Sequence, residues 1–140
     1  MDQHDSIEAA LLSLARKTPQ AEFRGLTDLP EQYYQSCDIL LLPSSREGQP
    51  NVLMEMMACG NPVIGSDIAG IRELLIDGES GLLFPPENRE QFKNAVRSLV
   101  TNGELRNRLG RAARERIIKQ KDEQTVLNQY LELYRGLEKE

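Results

Sequence analysis

Two acidic residues, Glu47 and Glu55, stand eight positions apart in the stretch PSSREGQPNVLMEMMACGNPVIGSD, residues 43–67. Ionised carboxylates accept hydrogen bonds from neighbouring hydroxyls, and a charged acceptor holds them more firmly than a neutral one. A helix start lies between the two glutamates. Pro50 suits an early turn position and Asn51 suits the N-cap. The backbone N–H groups of Asn51 to Met54 are then expected to lack helical partners. Together with the helix dipole they would form an anion site suited to a diphosphate. Glu55 falls about one turn into that helix. The spacing alone is common by chance, and Glu55 by itself could be a solvated helix residue.

Other chemistries find less support. GNPVIGSD has the outline of a phosphate loop but lacks the lysine that reaches the phosphates, so Gly60, Gly65 and Gly70 read as turn and packing residues. Met54, Met56 and Met57 read as core filling. Two cysteines, Cys37 and Cys59, make no disulfide framework, and a reducing cytosol is the simpler setting. The only histidine is His4, which leaves no ligand spacing for structural zinc. A net charge of −5 argues against nucleic acid. No apolar run reaches the roughly 20 residues that span a bilayer. The opening MDQHDSIEAA lacks the basic and apolar regions of a secretory signal.

The elements that must position these residues follow from hydrophobic periodicity. Ile7, Ala10, Leu11, Leu14 and Ala15 predict a helix over Asp5 to Lys17, capped by Asp5 with Glu8 and stopped near Pro19. AEFRG reads as a short strand ending at Gly25, and Pro30 opens the helix PEQYYQSC. DILLLPSS reads as a fully buried strand. NVLMEMMACG is a helix closed by Gly60, PVIGSD a strand, and IRELLIDG a short helix or turn ending at Gly78. SGLLFPP is another buried strand. Asn88 with Gln91 starts a helix whose Phe92, Ala95, Val96, Leu99 and Val100 share a face. Two further helices are expected over Glu104 to Gln120 and Glu123 to Leu137. On the first, Arg106, Arg108, Arg111, Arg114, Arg116, Lys119 and Lys121 surround the stripe Leu105, Leu109, Ala113, Ile117. That pattern reads as a solvated face around a buried stripe rather than an anionic membrane contact.

Strands alternating with helices imply an α/β fold: a parallel sheet of about four strands with helices on both faces, in a single domain. Ligands bind such sheets beyond the carboxyl ends of the strands. The loops Gly25–Leu29, Pro43–Asn51 and Ser66–Gly70 are therefore expected along one edge.

The residues around the two glutamates complete an ordered pattern. Gly25, Tyr34, Cys37-Asp38 and Pro43-Ser44 precede Glu47-Gly48. Glu55, Ala58, Gly60, Pro62-Val63, Gly70, Glu73, Gly78 and Gly81-Leu82 follow. The set resembles the Glu-x7-Glu region of the retaining glycosyltransferases of family 4, also called group 1, over residues 22–135. The resemblance implies a Rossmann-like sheet forming part of the C-terminal, donor-binding half of a GT-B enzyme. It implies transfer of a sugar from a UDP- or GDP-linked donor to an acceptor with retention of configuration. No cofactor or metal is implied, and the chain contains no Asp-x-Asp pair.

By resemblance, Glu47, Gly48 and Gln49 meet the donor sugar. The backbone of Pro50, Asn51, Val52 and Leu53 meets the diphosphate, Glu55 the ribose, and the Gly25–Leu26 loop the nucleobase. Two departures stand out: Gln49-Pro50 replaces a common Phe-Gly pair, and Arg72 replaces a common proline. Residues 1–21 contain no glycine and no match to the family's glycine-rich strand end with its diphosphate-clamping Arg and Lys. Arg16 and Lys17 fall on a helix end instead. The resemblance thus implies a missing N-terminal half as partner and an isolated chain without activity. Unpaired strand edges favour a homodimer, and a full-length enzyme could be cytoplasmic yet peripheral to a membrane. Two other classes stay open: a GT-B protein of the nucleotide-sugar epimerase type, and a non-catalytic nucleotide-binding or interaction module.

Overall fold

The computed structural model describes residues 9, 12–14, 16–22, 24, 25 and 27–121. The chain divides into two compact units, Met1–Pro30 and Glu31–Glu140. In the first, residues 9, 12–14, 16 and 17 are helical, and Ala21 N–H donates to the Thr18 carbonyl at 2.8 Å. The expected AEFRG strand is not formed at Ala21, Glu22, Arg24 or Gly25. So short a segment holds extended pairing only beside a neighbouring strand, and Glu22 and Arg24 instead pair with each other at 2.7 Å in solvent. Phe23, Leu26 and the helix expected over Glu123 to Leu137 lie outside the described residues, as does most of the helix expected from Asp5.

Helix α1 covers Pro30–Ser36, and β1 (Leu40–Leu42), α2 (Asn51–Cys59) and β2 (Val63–Ser66) follow. Then come α3 (Ala69–Arg72), β3 (Leu82–Phe84), α4 (Arg89–Thr101) and α5 (Gly103–Lys121). Among the described residues the sheet has three strands in the order β1-β2-β3, where about four were expected, the difference being AEFRG. All pairs are parallel, with Leu40 opposite Val63 and Ile64 opposite Leu82. α3 starts two residues earlier than IRELLIDG suggests, because Ile68 is extended and serves as its N-cap.

Period-two alternation sends side chains to two cores. On one face Leu40, Leu42, Val63 and Leu83 pack with Leu53, Met56 and Met57 of α2 and with Ile71, Leu74 and Leu75. On the other, Ile64, Leu82 and Phe84 pack with Phe92, Ala95, Val96 and Leu99 of α4. The stripe on α5 serves both: Leu105 and Leu109 join the α4 core, and Ala113 and Ile117 join the α2 core. α2 ends at Gly60, whose φ of 79° lets its N–H reach the carbonyls of Met56 and Met57. Asn88 caps α4, its side chain accepting from Gln91 N–H at 3.1 Å.

The basic face of α5 departs from a purely solvated one. Arg106 donates to the carbonyls of Leu99 and Val100 near the end of α4, and Arg114 to that of Ala58 near the end of α2. Arg116 donates to Leu74 and Glu73 carbonyls at 2.6 and 3.2 Å, just past α3, and Arg108 to Gly78 at 3.1 Å. Carbonyls at helix ends lack intrahelical donors and carry partial negative charge, so cations belong there.

The two edges of the sheet differ. On β3, Asp77 Oδ1 accepts from Leu83 N–H at 2.8 Å and occupies the outward-facing donor. On β1, among the described residues, β2 is the only strand partner, and Leu41 is 43% exposed. The strand expected to be fully buried is therefore half-covered, because α4 packs over β2 and β3 but leaves Leu41 open.

Candidate functional site

β1 delivers the chain through Pro43 to the loop that carries Glu47. Ser44 Oγ donates to Glu47 Oε1 at 2.8 Å, which fixes the half-buried carboxylate across one turn of loop. Gly48 comes next, and a Cβ built on it would meet nothing within 4 Å. No internal packing requires glycine there, and its backbone is open to approach from outside.

Pro50, not Asn51, is the N-cap of α2: it is buried and extended, with φ −70° and ψ 119°, and makes no side-chain cap bond. Proline's fixed φ and missing N–H suit that position, and Asn51 becomes the first helical residue. The set of free donors is correspondingly smaller than expected. Leu53 N–H and Met54 N–H both donate to the Pro50 carbonyl, at 3.1 and 3.3 Å. The N–H groups of Asn51 and Val52 are left without a partner among the described residues. Pro50 itself has no N–H and supplies shape only.

Leu53, Met56 and Met57 are buried and anchor α2, and this sets Glu55 on the exposed side. There it meets Tyr34 of α1. The Tyr34 phenol is raised above its usual value of 10.0, by partial burial first and then by the hydrogen bond and negative charge of Glu55. Asn61 Nδ2 donates to the Tyr34 carbonyl, tying the end of α1 to the turn between α2 and β2.

α3 backs the loop from the other side. A Cβ built on buried Gly70 would collide with the carbonyl oxygens of Gly48 and Glu47 and lie 2.8 Å from the Gly48 carbonyl carbon. Gln49 Nε2 donates to Glu73 Oε2 at 3.2 Å, and Arg72 pairs with Asp67 at 2.7 Å. Between loop and helix lies an open cleft of about 470 Å³ lined by Ser45, Arg46, Glu47, Gly48, Ile68 and Ala69. The loops after β1 and β2 thus share the edge expected of them, with Glu47, Gly48 and Gln49 beside α3. Gly25 has φ 68° in the first unit, and Leu26 is outside the described residues. Sequence reasoning gave no role to the Ser44–Glu47, Gln49–Glu73 or Tyr34–Glu55 contacts; the first is local to one loop, and the other two join residues that only the fold brings together.

The chain and its fold are matched in known proteins. The family profile described as Glycosyl transferases group 1 matches residues 9–116, and the chain belongs to that family. It is 29% identical over 114 residues to the lipopolysaccharide core biosynthesis glycosyltransferase LpsE of Rhizobium meliloti, covering 81% of this chain and 34% of LpsE. It is 31% identical to the N-acetyl-alpha-D-glucosaminyl L-malate synthase of Bacillus anthracis, covering 80% of this chain and 29% of that protein. Sucrose-phosphate synthase from Thermosynechococcus elongatus superposes with a TM-score of 0.81 at 28% identity, over 94% of this chain and 34% of that one. HepE of Anabaena, solved in complex with UDP, gives a TM-score of 0.82 at 21% identity over 94% of this chain and 36% of HepE, a likeness of fold. The chain spans about a fifth to a third of the length of the curated relatives it matches, from 18% to 34%. The fold is that of part of a GT-B glycosyltransferase domain. Among the described residues, no helix is long and apolar enough to cross a membrane.

Proposed function

We propose that the chain is part of the donor-binding domain of a retaining glycosyltransferase and holds a nucleoside diphosphate sugar along the edge formed by the β1–α2 and β2–α3 loops. The observation that carries this reading is the joining of three features at one place. Glu47 is held by Ser44, Gly48 is open to approach, and the N–H groups of Asn51 and Val52 have no partner among the described residues. A carboxylate for sugar hydroxyls thereby stands a few residues from a helix start suited to a diphosphate. Glu55, one turn on, accepts from the ribose. UDP is the favoured nucleotide, since HepE is described in complex with UDP and with UDP-glucose. No cofactor is needed beyond that donor.

By the family resemblance, the acceptor site and the cations that stabilise a departing diphosphate lie outside the segment this chain spans. Stabilising such a leaving group is mainly electrostatic, so the isolated chain transfers no sugar and acts with an N-terminal partner half. Incubation of the chain with UDP-glucose and a panel of acceptors tests this. Turnover that saturates and is abolished by Glu47→Ala would overturn it.

A further inference from the structure

We propose that Gly70 and Glu73 are positioning residues for the donor sugar, forming a seat on α3 that sets the height of the Glu47–Gln49 loop. This rests on the reading that the loop meets the sugar. Within the loop between β1 and α2, Ser44 fixes Glu47, and buried Pro50 fixes the far end. Its middle is fixed from outside. The Glu47 and Gly48 carbonyls lie against Gly70 where any side chain would stand, and the Gln49 amide is tied to Glu73.

The seat is firm. Ile71, Leu74 and Leu75 are fully buried beneath it, and Arg116 grips the carbonyls of Glu73 and Leu74 from α5. Asp67 and Arg72 pair across its first turn. The atoms that a Cβ at position 70 would strike are backbone atoms, so the loop itself must lift. That movement carries Glu47 and Gly48 away from Ile68 and Ala69, the opposite wall of the cleft. It leaves Glu55 and the Asn51 and Val52 donors in place, because buried Leu53, Met56 and Met57 anchor α2 independently. A change at the seat is therefore selective: it reaches the sugar and spares the nucleotide.

The test compares the wild-type chain with Gly70→Ala, Glu73→Ala and Glu73→Gln, reading backbone amide NMR shifts without ligand and affinities for UDP and UDP-glucose. In the free chain, Gly70→Ala and Glu73→Ala are expected to shift the Gly48 and Gln49 amides and to leave those of α4 unmoved. The preference for UDP-glucose over UDP falls about tenfold in Gly70→Ala and about threefold in Glu73→Ala, the scale of one hydrogen bond. UDP affinity changes by less than about twofold in either. Glu73→Gln restores the preference, since its amide oxygen still accepts from Gln49. A residue with a merely structural role would lower both affinities together. Gly48 and Gln49 amides that ignore both variants, or equal losses for UDP and UDP-glucose, overturn the seat. If Gly70→Ala does not fold, the two Glu73 variants decide. Glu47→Gln separates the two ideas: a UDP-glucose affinity that it leaves untouched refutes the sugar contact, while the ligand-free shifts still judge the seat.

Discussion

Glu55 on α2 is the partner of the Tyr34 phenol on α1, which partial burial first, and then the hydrogen bond and charge of that carboxylate, keep protonated above its usual range. The raised value favours the folded state while Tyr34 is neutral. That contribution is fully present below the unfolded value of 10.0 and is lost as pH climbs through the higher folded value. Glu55→Gln removes the charge and leaves burial, so tyrosinate absorbance at one position should appear at lower pH than in the wild type. Superimposable titration curves would show that Glu55 is not Tyr34's neighbour in solution.

Arg116 makes a second test of the fold. Its guanidinium serves two carbonyls beyond α3, whereas Arg111, among the described residues, reaches only Asn107 on its own helix at 3.3 Å. Arg116→Ala should destabilise the chain by about 1–2 kcal/mol, within the range for charged hydrogen bonds at a half-buried site. Arg111→Ala should stay within about 0.5 kcal/mol, as exposed substitutions do. Urea denaturation followed by circular dichroism checks both, and equal midpoints for the two variants would refute the capping role.

Much of this architecture is legible in the sequence, and its failures have physical causes. The aliphatic runs at Leu40–Leu42 and Val63–Ser66 and the Asn88–Gln91 cap announce themselves because each is local. AEFRG failed because strand pairing needs a partner that sequence pattern cannot supply. Asn51 was mistaken for the cap because its amide side chain is a common capping group, yet the fixed φ of Pro50 decided the position. The arginines of α5 looked solvated because their carbonyl partners lie as many as 56 residues away. In the site, Glu47 and Glu55 stood out by type and spacing. Gly70 and Glu73 were visible only as members of a pattern, since their contacts with Gly48 and Gln49 reach across α2 and β2 in the chain.

The unequal sheet edges predict where self-association occurs. An unpaired strand edge offers free N–H and C=O groups, and β1 adds exposed Leu41 while β3 is stopped by Asp77. Sedimentation velocity should show a concentration-dependent dimer that Leu41→Lys converts to monomer, because an edge lysine opposes pairing. A wild-type chain monomeric at every concentration, or a dimer indifferent to Leu41→Lys, argues against β1 as the open edge.

Gly48 separates folding from binding. Because a Cβ there meets nothing within 4 Å, Gly48→Ala should leave the melting temperature within about two degrees. The same methyl group projects where the donor is proposed to lie, so UDP-glucose affinity should fall several-fold. A variant that loses stability but keeps its affinity would place Gly48 in the packing rather than in the site.

The most direct test of the proposed donor edge is an NMR titration of the chain with UDP. Hydrogen bonds from the ribose to Glu55 and from the Asn51 and Val52 amides to the diphosphate, offset by the lost freedom of the ligand, give a dissociation constant around 1 mM, or about 4 kcal/mol. Amide shifts should cluster within residues 43–55, and Glu55→Gln should weaken the binding while Glu8→Gln does not. Shifts confined elsewhere on the chain, or an affinity that Glu55→Gln leaves unchanged, would contradict the assignment of this edge to the donor nucleotide.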